Sequence, residues 1–121
     1  MRVTVWFANE KLFRNSICYF KEGKIFNKDL ASLYISEAVD GETTSSRYEK
    51  MAEFNVALHE DYLETCEYIY MKTQNMDSHW RGEDKPCRSA SVGDIIQFDD
   101  GLIDSFYIVA SCGFDLLFER A

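Results

Sequence analysis

Residues 92 to 118 constrain the fold of this chain more than any other stretch. A run of small polar residues ends at Val92-Gly93-Asp94, and Ile95-Ile96-Gln97-Phe98 follows with side chains that suit a pleated, half-buried surface. Asp99-Asp100-Gly101 is a turn by composition, and Phe106-Tyr107-Ile108-Val109 reads as a second strand. Gly113 marks the next connection, before Phe114. Connections this short leave no room for a crossover helix, so the strands must run antiparallel. The pattern predicts strands over roughly 94–98, 105–110 and 114–118, a three-stranded C-terminal meander. Gly93 is expected to take a backbone conformation that other residues reach only at a cost.

Upstream, residues 2–8 alternate, with Val3, Val5 and Phe7 on one face and Arg2, Thr4 and Trp6 on the other, which predicts a strand. Such a strand at a sheet edge could pair with a second copy of the chain, so a homo-oligomer fits this reading. Residues 17–20 and 24–26 flank Lys21-Glu22-Gly23 and predict a hairpin. Asn27 can cap a helix over 28–39 with Leu30, Leu33, Tyr34 and Ala38 on its inner face; a strand over 32–39 competes with it. Ser46 and Glu49 have capping-box spacing and predict a helix from 46, with Tyr48, Met51, Ala52, Asn55 and Leu58 as its buried stripe. Asp61 starts the next helix, in which Tyr62, Cys66, Ile69, Tyr70 and Thr73 form the apolar stripe before an end near Gln74-Asn75.

The expected fold is therefore α+β, one domain over 1–121, with a small, mainly antiparallel sheet and two or three helices. With 121 residues, 46% of them hydrophobic, the chain can bury one sizeable core. No window is apolar over the length a membrane span requires, and the N-terminal apolar run is too short for a signal peptide, so no membrane association and a cytoplasmic location are expected. Four cysteines at irregular spacing read as free thiols, mostly buried. The net charge of −8 suits solubility and a basic protein partner, and the sequence has no run of Lys and Arg for direct nucleic-acid binding.

The chemistry-bearing residues point away from catalysis. His59 and His79 stand far apart with no cysteine close to either, which is poor spacing for a metal site, and no cofactor motif is present. Cys87, beside Arg88, and Cys112 lack a catalytic signature, so a small enzyme with a cysteine-based site ranks last. Arg88, Ser89 and Ser91 could hold an anion if their N–H groups converged, although Asp94 would repel it. Trp80, in a polar loop, either folds back onto the core or anchors a partner. Glu60, Glu64 and Glu67 form an acidic stripe, with Glu49 and Glu53 on the preceding predicted helix. It reads as a solvated face or as a nucleic-acid-like surface that occupies a basic protein.

Arg88-Ser89-Ala90-Ser91-Val92-Gly93-Asp94, followed by Phe106-Tyr107-Ile108-Val109 and Gly113-Phe114, resembles the YodL-like segment, an Arg-Ser-x-Ser-Val-x-Asp core with a strand and a closing Gly-Phe. Residues 73–80 are similar to a helix-to-loop stretch of small cyanophage-like proteins. The resemblance covers about a third of the chain, and it implies a phage or mobile-element context and a fold unit rather than a reaction. The expected function is a non-enzymatic accessory or regulatory module that binds another protein, through surface residues such as Trp80, Arg88, Ser89, Ser91, Glu60, Glu64 and Glu67. The alternative is an acidic, nucleic-acid-mimicking inhibitor of a host DNA- or RNA-binding protein.

Overall fold

The structure, a computed structural model, describes residues 1–9, 18–19, 25–41, 47–57 and 61–121. Its elements in chain order are β1 (Arg2–Ala8), β2 (Cys18–Tyr19), β3 (Ile25–Phe26), α1 (Lys28–Asp40), β4 (Tyr48–Asn55), α2 (Tyr62–Lys72), β5 (Ile95–Asp99), β6 (Asp104–Val109) and β7 (Phe114–Arg120). Five strands form one antiparallel sheet in the order β4-β1-β5-β6-β7. The short β2 and β3 pair as the predicted hairpin, in the register Cys18 with Phe26 and Tyr19 with Ile25. The expected α+β fold and its C-terminal meander are both present.

The alternation of β1 sets the layers. Val3, Val5 and Phe7 pack with Ile96, Phe98, Cys66 and Ile69, which places α2 on that face. Ala8 packs with Ile95, Phe106, Ile108 and Tyr48 against Ala31 and Ile35 of α1 on the other. The sheet is thus covered by a helix on each side. Full burial of a large side chain such as Phe98 contributes about 1.5–3 kcal/mol relative to exposure. Both helices start at the predicted caps: Asn27 Oδ1 accepts the Leu30 N–H at 3.1 Å, and Asp61 Oδ1 accepts the Glu64 N–H at 3.2 Å. The inner face of α1 is centred on Ala31 and Ile35, so Leu33 points outward. The α2 stripe holds, with Cys66, Ile69 and Thr73 fully buried, and the helix closes at Thr73.

Two expectations need correction. Residues 48–55 form strand β4, not a helix. The helical spacing of Tyr48, Met51 and Ala52 arises from a bulge: Val5 pairs with Ala52 but Trp6 pairs with Lys50, so Met51 is an extra residue that breaks the two-residue period. The helix start expected at Ser46 and Glu49 fails at Glu49, which is on the strand; Ser46 lies outside the described residues. Strand β1 is not an edge; it lies between β4 and β5, and Thr4 and Ala8 of its alternate row are buried. The edges of the sheet are β4 and β7.

Candidate functional site

The segment that opens the meander does gather polar groups, around a carboxylate of its own. Arg88 donates from Nη1 to Asp94 Oδ2 at 2.6 Å and from Nη2 to Asp94 Oδ1 at 2.7 Å, a bidentate pair. Asp94 also accepts the Ala8 N–H and the Ser91 N–H, each at 2.8 Å. Its side chain is 1% exposed, and that of Arg88 is 25% exposed. Burial pushes the Asp94 carboxyl above its ordinary range, with Arg88 and the two N–H groups pulling it back down. Arg88 donates further to the Ala8 carbonyl at 3.0 Å and lies over the Phe7 ring. Arg88 and Ser91, two of the groups that could have cradled an external anion, thus hold Asp94, which locks the end of β1 to the start of β5. Gly93 has φ +97°, in the left-handed region, and its carbonyl accepts the buried Tyr48 hydroxyl at 2.9 Å.

The other residues singled out in this region also serve the fold. Ser89 Oγ accepts the Asn75 N–H at 2.7 Å, and Ser91 Oγ accepts from Arg88 at 3.3 Å. Trp80 folds back: it packs against the α2-side core, and its Nε1–H donates to the Arg88 carbonyl at 3.0 Å. Asn75 and Gln74 donate to the Cys87 and Ala90 carbonyls, so the long connection from α2 to β5 is stapled along its length.

Of the acidic residues, Glu49 and Glu53 stand on a strand, β4, and not on a helix. Glu64 and Glu67 lie on the outer side of α2, and Glu60 lies outside the described residues. Glu53 is paired with Lys50 at 2.7 Å. Exposed Leu63, Tyr68 and Met71 interleave with Glu64 and Glu67.

A largely apolar groove of about 410 Å³ lies between α2 and the β6–β7 turn. Tyr70, Met71, Val92, Val109 and Phe114 line it, with Glu67 at its rim. Tyr70 and Phe114 meet edge to face, their centroids 6.0 Å apart. Met71 is 61% exposed and Leu63, two turns earlier on α2, is 49% exposed. Leu116 pairs with Tyr107, whose ring meets Tyr62 of α2, so it stands on the same side of the sheet and is 43% exposed. The groove therefore adjoins β7, whose outer edge is paired with no described residue. The sequence carries a faint signal for these residues: Met71 is apolar yet falls off the buried stripe of α2.

Three of the four thiols have described surroundings, and these differ. Cys66 is buried, and burial pushes its thiol up to about 12, which keeps it protonated and unreactive. Cys87 is half-buried against the α2-side core, and Cys112 is exposed. His79 stands 4.0 Å from Glu83, while His59 lies outside the described residues. Among the described residues, no group of three His, Cys, Asp or Glu side chains could hold a metal ion, and no helix is long and apolar enough to cross a membrane. Comparison with models of protein families, with curated proteins and with solved structures finds no match.

Proposed function

We propose that this protein is a non-enzymatic accessory module that binds another protein through the groove between α2 and β7. The observation that carries the reading is the conjunction of exposed Leu63, Met71 and Leu116 with the apolar groove and the outer edge of β7, which is paired with no described residue. Exposed apolar residues that adjoin one another, rimmed by polar groups, mark interaction sites, and an open strand edge offers backbone hydrogen bonds to an added strand. The net charge of −8 and Glu67 at the rim favour a partner with basic residues around its apolar contact. A second copy fits this edge poorly, because antiparallel self-pairing centred on Leu117 sets Asp115 opposite Glu119. Light scattering should accordingly read a monomer. The phage or mobile-element context implied by the Arg88–Asp94 resemblance suits a small accessory protein of this kind. Nucleic-acid mimicry is less favoured, since apolar side chains interrupt the acids on α2.

The test is capture of a partner from lysate by wild type, by Met71→Glu/Leu116→Glu and by Met76→Glu, with circular dichroism as the check on folding. Met76 is exposed but does not line the groove. The double variant should lose the protein that wild type and Met76→Glu both retain. Equal recovery by a folded double variant removes the groove from the reading.

A further inference from the structure

We propose that a second cavity, on the β4 side of α2, binds a nucleoside phosphate. It has a volume of about 480 Å³, within the range of small-ligand sites, and its wall includes Phe54, Lys72, Trp80, Arg81 and Lys85. The cations are scattered in the sequence, and the fold gathers them. Lys72 is the last residue of α2, while Arg81 and Lys85 are set by the turns in which the Gly82 N–H donates to the His79 carbonyl and the Lys85 N–H to the Gly82 carbonyl. None of the three cations enters an ion pair among the described residues. The one carboxylate in the wall, Glu53, is already held by Lys50. In a chain of net charge −8, this is a local positive wall.

Trp80 supplies the second recognition element. One side of the indole rests against Phe7, with centroids 5.8 Å apart, and its Nε1–H is fixed on the Arg88 carbonyl, so the ring is rigid where it borders the cavity. A rigid aromatic beside cations suits a ligand with a flat ring and a phosphate group, through stacking and charge-assisted hydrogen bonds. A long nucleic-acid strand carries its charge well beyond this wall, over an acidic surface that repels it, so the occupant is a mononucleotide.

Calorimetric titration with ADP tests the assignment, with adenosine and pyrophosphate as separate arms. ADP should bind saturably, one to one, and each fragment should bind at least about tenfold more weakly than ADP. Arg81→Gln/Lys85→Gln changes only exposed side chains, so the variant should melt like wild type while its affinity for ADP falls by about tenfold or more. Absence of saturable ADP binding, ADP binding that the double variant leaves intact, or pyrophosphate binding as tight as that of ADP each overturns it.

Discussion

Arg88→Met tests the structural claim on which the C-terminal half depends. Methionine keeps much of the aliphatic stem that lies against Phe7 and removes both guanidinium bonds to Asp94. The carboxylate left behind is 1% exposed and retains the Ala8 and Ser91 N–H groups as donors. Removing one partner of a buried ion pair costs about 3–5 kcal/mol, which is a large share of the roughly 5–15 kcal/mol that holds a domain together. For a chain of 121 residues this lowers Tm by roughly 10–20 °C. The loss should depend on pH in a definite direction. Without Arg88, burial raises the folded pKa of Asp94 further, so the folded state binds that proton more tightly than the unfolded chain does. The deficit is then smallest below the folded pKa that Asp94 has in the wild type, grows as pH rises above it, and is complete above the higher folded value of the variant. Urea unfolding of wild type and variant at several pH values measures it. A difference below about 1 kcal/mol at neutral pH, with an unchanged m-value, would refute the idea that this pair locks β1 to β5.

Further outcomes follow from single groups. Gly93→Ala forces a side chain into φ +97° and should destabilise by about 1–3 kcal/mol in thermal or urea unfolding. With a disulfide-exchange reagent, Cys112 should react quickly and Cys66 only after unfolding, so Cys112→Ser should remove one fast-reacting thiol and leave the slow phase unchanged. Tyr48→Phe takes a buried hydroxyl away from the Gly93 carbonyl and should cost about 0.5–1.5 kcal/mol.

The parts of the fold legible in the sequence are those fixed by local chemistry. The alternation of β1, the caps Asn27 and Asp61, and the turns at Gly93 and Asp99-Asp100-Gly101 each express a short-range rule, and each is where the sequence places it. What could not be read depends on distant partners. β4 carries Glu49, Lys50 and Glu53 on an edge and contains a bulge, so only its pairing with β1 identifies it as a strand. Arg88 and Asp94 were visible as charged neighbours of a turn, but their union required the Ala8 and Ser91 N–H groups to converge on one carboxylate. The groove could not be anticipated, because Met71, Val92 and Phe114 come from three separate segments. The same holds for Lys72, Arg81 and Lys85, which form no run in the sequence.

Hydrogen–deuterium exchange on the complex with a captured partner tests the proposed contact most directly. Binding through the groove predicts slowed exchange at residues 67–71 and 109–117, with the strongest protection along the outer edge of β7. Protection confined to residues 76–88, with the β7 amides exchanging as in the free protein, would contradict it.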